Sequence, residues 1–165
     1  SKLAGEYYCR VFSELYGLET VSLRYFNVFG PRQDPNSQYA AVIPRFINCA
    51  LRRDAVEIHG DGLQSRDFTY IDNVVEANLL AARAERGAGE VFNVAQGECH
   101  SLLEFVDLLE KILERQIARR HTTARPGDVR QTLADIAKPA SVLNYKPSVS
   151  FEEGIERTVR YFAEQ

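Results

Sequence analysis

The sequence lacks the features that would indicate a membrane, a metal ion or a polyanion as a partner. It has no apolar run long enough to span a bilayer and no signal-peptide pattern. Its net charge of -3 gives no positive field to attract nucleic acid. The three cysteines (Cys9, Cys49 and Cys99) are far apart and odd in number, and the histidines are equally scattered, which argues against a disulfide framework and a metal site. We therefore expect a cytoplasmic protein that binds no membrane, metal or nucleic acid.

A helical pattern starts at the first residues of the sequence. The chain contains no methionine, and Leu3, Tyr7, Val11 and Leu15 recur at helical spacing from the first residues onward. A helix that starts so abruptly leads us to expect that the sequence is part of a longer chain. The length of 165 residues is enough for one domain with a small subdomain.

Segments with helical periodicity alternate with segments rich in β-branched and aromatic residues, which predicts an α/β architecture. Helices are expected over residues 2–16, 43–53, 71–83, 102–114, 136–143 and 151–162, and strands over 20–25, 56–58, 66–70, 91–94 and 119–123. The strand at 20–25 is expected to be buried. Residues 60–62 are expected to turn the chain between two strands, and 26–39 and 125–128 to form loops. Ser101 and Glu104 form a capping-box pattern.

Lys2 opens the run SKLAGE, and a lysine at a helix start is ordinarily a solvated charge. The run resembles the end of the Tyr-x-x-x-Lys motif of short-chain dehydrogenases/reductases. Residues four apart share a helix face, so the ammonium can sit beside the phenol and lower its pKa toward that of a general base. The resemblance implies a catalytic role for Lys2, which would also hold the nicotinamide ribose. The tyrosine would lie four residues earlier, ahead of Ser1.

Residues 23–31 read LRYFNVFGP, which alone fits a strand that ends in a polar residue. A strand ending in Asn-x-x-Gly delivers an amide at the carboxyl edge of an open α/β sheet, where such sheets bind ligands. The run resembles the segment that leads from the dinucleotide fold into the substrate region in extended members of the same family. The resemblance assigns Asn27 to the sugar and pyrophosphate of the substrate. It also assigns Tyr25 and Asn27 to cofactor binding.

Residues 38–44 (QYAAVIP) predict the N-terminus of a helix, where free backbone N–H groups can bind a ligand. The stretch resembles the segment of sugar-nucleotide epimerases that flanks the sugar and reads the uracil through backbone groups. On that resemblance, Ala41 and Val42 are candidate substrate-binding residues.

Residues 56–62 (VEIHGDG) and 65–68 (SRDF) resemble a specific signature of the family, Gly-x-Gly-x-x-x-Arg-Asp-Phe/Tyr. The family's arginine contacts a diphosphate, which suits a guanidinium because it is planar, always charged and able to bond two oxygens at once. Arg66 is the candidate for that role. The structural alternative is an ion pair between Arg66 and Asp67, and Asp67 is otherwise expected to orient the local structure. Glu57 and His59 occupy positions that border the uridine, where His59 could donate to a ribose hydroxyl.

Residues 125–130 read RPGDVR, which alone predicts a surface turn. Epimerases and decarboxylases of the family share Arg-x-Gly-Asp in this region, where the arginine makes a second phosphate contact and the aspartate accepts hydrogen bonds from the ribose diol. The resemblance assigns those roles to Arg125 and Asp128. Thr132 lies near a position that limits sugar size in epimerases, and its small side chain would leave room for an N-acetyl group.

The resemblance covers essentially the whole chain, with the runs in the family's order, and the chain is similar to the C-terminal half of an NAD-dependent epimerase/dehydratase. The implied fold is α/β, with the C-terminal part of a Rossmann-like parallel sheet and a small mixed substrate-binding subdomain. Residues 1–30 would close the NAD-binding domain, and 31–165 would bind the nucleotide sugar, with 71–100 returning to the sheet. The sequence has no Gly-x-x-Gly-x-x-Gly loop, so NAD would be bound mainly by a missing N-terminal half.

The implied parent enzyme is a UDP-hexose 4-epimerase of the UDP-N-acetylglucosamine or UDP-glucose type, a homodimer through a helix bundle that includes residues 2–16. The chain alone is expected to be inactive. A 4,6-dehydratase or a UDP-glucuronate decarboxylase would use the same C-terminal scaffold, so both stay open. A nucleotide-sugar-binding module without catalysis and a purely structural remnant are the alternatives outside the enzymes.

Overall fold

A computed structural model describes residues 1–34, 42–124 and 126–165, and its mixed α/β architecture confirms the predicted fold class. None of the described helices is long and apolar enough to cross a membrane. The elements in chain order are α1 (Lys2–Tyr16), β1 (Val21–Tyr25), β2 (Val28–Phe29), α2 (Val42–Leu51), β3 (Val56–His59), β4 (Ser65–Arg66), β5 (Thr69–Tyr70), α3 (Ile71–Arg83), β6 (Glu90–Val94), β7 (His100–Ser101), α4 (Leu102–Leu113), β8 (Arg119–Thr122), β9 (Gln131–Thr132), α5 (Ala137–Leu143) and α6 (Phe151–Ala163).

The helix ends follow local sequence signals. Gly17 ends α1 in the left-handed conformation with φ of 68°, which a residue without Cβ adopts at little cost. The predicted capping box at α4 is confirmed. The Ser101 hydroxyl accepts from the Glu104 N–H at 3.2 Å, and the Glu104 carboxylate accepts from the Ser101 N–H at 2.6 Å. These reciprocal bonds satisfy two N–H groups that the first turn would leave without partners.

The strands pair with distant partners. β1 pairs with β6 in parallel, with Val21 opposite Glu90 and Tyr25 opposite Val94. β2 pairs with β5 and β3 with β8, both in parallel. β4 lies between β7, which is antiparallel to it, and β9, which is parallel. The parallel pairing of β1 with β6, which follows α3, is a crossover connection of the kind found in a Rossmann-like sheet.

The predicted turn at 60–62 lies between β3 and β4, and these strands pair with other partners, β3 with β8 and β4 with β7 and β9. Two expectations about neighbouring segments are wrong. The segment 66–70 is two strands rather than one. It breaks at Asp67 and Phe68, which are buried between the two short ladders. A two-residue strand, β2, also lies inside the segment 26–39 that was expected to be a loop.

β1 was expected to be buried, and in this chain it is not. Its residues are only partly buried or exposed, and Tyr25 is 50% exposed. In the described part of the chain only β6 pairs with β1, and α1 beside it buries none of its residues. The β-branched and aromatic composition therefore indicates a strand conformation, and it does not indicate that the strand is buried.

Two apolar clusters form the core. The first joins α2, β3, α4 and α6, and the ring of Phe151 lies 5.6 Å from that of Phe68 and 5.9 Å from that of Phe29. The second joins α3, β6 and the buried Tyr145, whose hydroxyl donates to the carbonyl of Ala95 at 2.9 Å. The first cluster lies directly behind the candidate site described below.

Replacement of Gly154 by alanine should destabilise the protein. A Cβ on this α6 residue would lie 2.9 Å from carbons of Phe29 and Tyr70, both in the packed core. The overlap should outweigh the gain of about 1 kcal/mol in helix propensity, for a net loss of about 1–2 kcal/mol. Gly5→Ala is the matched control, because a Cβ on Gly5 in α1 meets nothing within 4 Å. Urea unfolding of the two variants measures the difference, and equal stability of both would show that α6 is less tightly packed than described.

Candidate functional site

An open cleft of ≈ 340 Å³ lies beside the first apolar cluster. It is bordered by α2, β3, β4, the start of α4 and the loop before β9. Its lining residues are Val42, Arg45, Phe46, Glu57, His59, Gln64, Arg66, Leu102, Pro126, Gly127 and Asp128.

The strand period places charged side chains in the cleft and apolar ones in the core. Successive residues of a strand point to opposite faces. In β3, Val56 and Ile58 are fully buried in the core, whereas Glu57 and His59 line the cleft. The alternation in the sequence VEIH therefore both fixes β3 to the core and supplies two polar groups to the site.

The helical period of α2 also places one face in the cleft and another in the core. Val42, Arg45 and Phe46 line the cleft at spacings of three and four residues. Ile43 and Ile47 are fully buried in the first apolar cluster. One helix thus closes the core and builds one wall of the cleft.

Arg66 forms the most buried ion pair at the cleft. Its Nη2 donates to Oδ1 of Asp128, and its Nη1 donates to the carbonyl of Ser65 at 2.8 Å. The side chains of Arg66 and Asp128 are 17% and 36% exposed. The alternative of an ion pair between Arg66 and Asp67 is wrong, because the two side chains engage different partners.

Glu57 and His59 form a second polar group. Glu57 accepts from Nη2 of Arg120 at 2.6 Å, and this hydrogen bond holds the pKa of the Glu57 carboxyl below its usual range. The positive charges of Arg120 and Arg45 act in the same direction. Glu57 is therefore a carboxylate at neutral pH.

His59 has one ring nitrogen engaged by the protein. Nδ1 lies 2.8 Å from the hydroxyl oxygen of Thr122, and Nε2 lies 3.6 Å from Oε1 of Glu57. Among the described residues Nε2 has no hydrogen-bond partner. When the Thr122 hydroxyl donates to Nδ1, the neutral ring carries its proton on Nε2 and has a donor left over.

Asp67 is fully buried and organises the backbone behind the cleft. Its Oδ1 accepts from the N–H of Gln96 at 2.8 Å, and its Oδ2 accepts from those of Gly97 at 3.0 Å and Ala134 at 3.3 Å. Burial raises the pKa of the Asp67 carboxyl, and the three N–H groups act in the opposite direction. The expectation that Asp67 orients the local structure agrees with this geometry.

The backbone of Asp67 connects two further candidate residues. Asn27 donates from Nδ2 to the Asp67 carbonyl at 2.8 Å, and the Asp67 N–H donates to the carbonyl of Thr132 at 2.9 Å. Asn27 holds an unusual φ of 34°, in the left-handed region that asparagine tolerates better than most residues. Asn27 and Thr132 therefore lie next to Arg66, although neither lines the cleft.

Lys2 and Tyr25 are separate from the cleft. Lys2 is an exposed residue at the start of α1, and the hydroxyl of Tyr25 donates to Asn78 at 3.0 Å. One turn after Lys2, Glu6 accepts from Nη2 of Arg24 at 2.6 Å, which ties the start of α1 to the carboxyl end of β1. Ala41 and Arg125 lie outside the described residues.

The sequence reasoning missed several lining residues. Arg45 and Phe46 could have been found from Val42, because residues three and four positions further along a helix share its face. Gln64 offered no such signal. Its Nε2 donates to the carbonyl of His59 at 2.7 Å, a contact that depends on the shape of the turn between β3 and β4.

Comparison with known proteins identifies the family. The profile of the NAD dependent epimerase/dehydratase family matches residues 1–95. The chain belongs to this family. The resemblance drawn from the five sequence runs is thereby confirmed.

Solved structures of the family share the fold closely. The chain is 43% identical to UDP-N-acetylglucosamine 4-epimerase from Methanobrevibacter ruminantium in complex with UDP-N-acetylmuramic acid, with a TM-score of 0.93 over 99% of this chain and 52% of that one. It is 40% identical to UDP-glucose 4-epimerase with UDP-glucose from Thermotoga maritima, with a TM-score of 0.92 over the same shares. These matches confirm a Rossmann-type α/β relationship.

Family members with other names also match. UDP-glucuronate 4-epimerase from Thermodesulfobacterium geofontis is 33% identical over 99% of this chain and 49% of its own length. Decarboxylases of UDP-sugar acids are also among the relatives. The chain spans about half the length of the curated relatives that it matches.

Replacement of Asp67 by asparagine should destabilise the protein, although it removes a buried charge. The amide NH₂ would face a backbone N–H that now donates to a carboxylate oxygen, so at least one buried donor loses its acceptor, at a cost of about 1–3 kcal/mol. Asp107→Asn is the control, because Asp107 is exposed and bonds Arg119 at the surface. Chemical unfolding measures both, and an Asp67→Asn variant more stable than the wild type would show that the burial cost outweighs the hydrogen bonds.

Proposed function

We propose that this chain is the nucleotide-sugar-binding part of an NAD-dependent UDP-hexose 4-epimerase of the UDP-glucose or UDP-N-acetylglucosamine type. The observation that carries the proposal is the composition of the cleft. Five residues assigned to the nucleotide from three separated runs, Val42, Glu57, His59, Arg66 and Asp128, line the same cleft. UDP-sugar epimerases among the solved relatives support the choice of ligand.

The charges of the cleft fit a nucleoside diphosphate. Arg66 provides a mostly buried, planar cation, and Arg45 adds a second positive charge along the same wall. We assign the diphosphate to Arg66, together with Arg125, and the ribose diol to the carboxylate of Asp128. His59 and Glu57 then border the nucleoside.

The sugar would extend from the diphosphate toward Asn27 and Thr132, which lie behind Arg66. Thr132 is small, and its hydroxyl oxygen is buried without a hydrogen-bond partner among the described residues. We assign Thr132 to the sugar because its small side chain would leave room for an N-acetyl substituent. Val42 would contact the nucleotide from the α2 side, and Ala41 is assigned to the nucleotide by sequence alone.

Catalysis in the whole protein would need groups beyond the cleft. NAD, when bound, supplies the hydride acceptor and donor for oxidation and reduction at C4 of the sugar. Lys2 fits a place beside that cofactor, because the Glu6–Arg24 pair holds its helix at the carboxyl end of β1, where Rossmann-type sheets bind dinucleotides. There its ammonium would lower the pKa of a neighbouring tyrosine, and Tyr25 and Asn27 would lie on the same side.

The first test is calorimetric titration of the purified chain with UDP-N-acetylglucosamine, with dTDP- and GDP-sugars as controls. We expect selective binding of the UDP-sugar, weakened by about 10- to 100-fold in Arg66→Ala, because a charge-assisted hydrogen bond contributes about 1.5–3 kcal/mol. Arg83→Ala, an exposed arginine in α3, is the control and should bind normally.

Other results of the titration would change the proposal. Preference for dTDP- or GDP-sugars would favour a 4,6-dehydratase. Absence of binding by a folded chain would count against an autonomous site, and equal binding by the Arg66→Ala variant would remove Arg66 from it. A UDP-glucuronate decarboxylase stays the alternative among UDP-sugar enzymes, since relatives with decarboxylase names match the same region.

The isolated chain should bind without turnover. The sequence holds neither the tyrosine four residues before Lys2 nor a glycine-rich phosphate loop. A coupled assay for UDP-galactose or UDP-N-acetylgalactosamine should therefore stay at background with NAD present, and UDP-sugar epimerisation by purified material of 165 residues would contradict this.

We also assign α1 to a homodimer interface in the whole protein. The helix exposes a set of large apolar side chains, which a soluble surface rarely leaves uncovered. They are Leu3, Tyr7, Tyr8, Val11, Phe12, Leu15 and Tyr16. Sedimentation of the whole protein and of its Tyr8→Lys variant tests the assignment, with dissociation of a dimer as the expected effect of the lysine.

A further inference from the structure

The loop before β9 forms one wall of the cleft through Pro126, Gly127 and Asp128. Its position decides where the carboxylate of Asp128 lies. Asp128 is held from the cleft side by Arg66, which is itself assigned to the ligand. A second, ligand-independent set of contacts holds the two ends of the loop.

The chain entering the loop is fixed to the turn after β3. The N–H of Gly60 donates to the carbonyl of Thr122 at 2.9 Å, and Nδ1 of His121 lies 2.8 Å from the carbonyl of Gly60. These contacts continue the pairing of β3 with β8 one residue beyond the end of β3.

The chain leaving the loop is fixed to the same turn by a bifurcated ion pair. Nη1 of Arg130 lies 2.9 Å from Oδ1 and 2.8 Å from Oδ2 of Asp61. The carbonyl of Arg130 accepts from the N–H of Ser65 at 2.9 Å. Arg130 is therefore held through both its side chain and its backbone.

The turn that receives these contacts is rigidly seated. Oδ1 of Asp61 also accepts from the N–H of Leu63 at 2.9 Å, and this bond and Arg130 keep the pKa of Asp61 below its usual range. Gly60 and Gly62 have φ of 75° and 79°, a conformation that favours glycine. A Cβ on Gly62 would lie 2.8 Å from the side chain of Leu103, so the turn rests directly on α4.

We infer that Asp61 and Arg130 are positioning residues for the nucleotide site, acting through Asp128. Neither lines the cleft. Together they join the exit of the loop to a turn seated on the core, so that the Asp128 carboxylate is in place before the ligand arrives. A loop ordered in advance avoids the ordering cost at binding. The inference rests on the proposed function, because it names how that site holds the nucleotide.

Because the Asp61–Arg130 pair is exposed, its effect on ligand binding can be measured separately from any effect on global stability. The side chains of Arg130 and Asp61 are 65% and 52% exposed, and an exposed pair contributes little to global stability. Arg130→Met and Asp61→Asn should therefore unfold at nearly the wild-type denaturant concentration. Asn at position 61 keeps an acceptor for the Leu63 N–H, so it removes the charge without removing the turn.

The experiment is titration of the full chain with UDP. We expect Arg130→Met and Asp61→Asn each to weaken UDP binding by about 3- to 10-fold, and the double variant by no more than either single one. Arg157→Met is the control, because Arg157 forms exposed ion pairs with Asp72 and Glu153 away from the cleft. It should bind UDP as the wild type does.

A double-mutant cycle with Asp128→Ala tests whether the Asp61–Arg130 pair acts through the Asp128 carboxylate. In the Asp128→Ala background, Arg130→Met should have no further effect on the UDP dissociation constant. Hydrogen exchange at residues 127–130 should also become faster in Arg130→Met than in Arg157→Met.

The remaining outcomes show whether the proposed function or only the inference is wrong. If the folded wild type does not bind UDP, the chain has no autonomous nucleotide site and the inference fails with it. If the wild type binds and Arg130→Met binds equally well, the inference alone is wrong. An undiminished effect of Arg130→Met in the Asp128→Ala background would also overturn it, because the pair would then act independently of Asp128.

Discussion

The buried carboxylate of Asp67 accepts hydrogen bonds from three backbone N–H groups that belong to two segments far from it in sequence, 96–97 and 134. Its own N–H and carbonyl bond Thr132 and Asn27. Four chain segments therefore meet at one residue. The break between β4 and β5 falls there, and it lets Arg66 extend into the cleft while Phe68 packs into the core. A neutral side chain of the same size could not accept all these bonds, so the burial of a charge is the condition for this arrangement.

The core and the candidate site are opposite faces of the same elements. β3 buries Val56 and Ile58 and presents Glu57 and His59, while α2 buries Ile43 and presents Arg45. The site is thus built on rigid strands and helices wherever the charged groups of the nucleotide would be bound, except at the loop that carries Asp128. At that exception, contacts with a turn seated on α4 fix the loop at both ends. Precise placement on a loop requires contacts that a strand supplies through its ladder.

The sequence predicted the long elements well, because helical periodicity, Gly17 and the Ser101–Glu104 capping box are local signals. It did not predict β2, β7 and β9, which have two residues each and exist only through partners distant in the chain. The pairing of β3 with β8 rather than β4 has the same cause. In the candidate site, Glu57, His59, Arg66 and Asp128 came from family motifs and lie together in the cleft, whereas Gln64 depends on tertiary geometry alone. The sequence did not predict the exposure of β1, because composition indicates strand propensity and not burial.

The ion pair of Arg66 with Asp128 does not compete with the proposed ligand. A guanidinium has five N–H donors, and the contacts of Arg66 with Ser65 and Asp128 use only two of them. Those two contacts fix the plane of the guanidinium and leave the remaining donors for phosphate oxygens. Asp128 keeps further lone pairs for hydroxyl groups in the same way. The pair can therefore persist in the complex, with the cation facing the diphosphate and the carboxylate facing the ribose. Because both groups are already oriented by their mutual contact, binding would require little reorganisation of either.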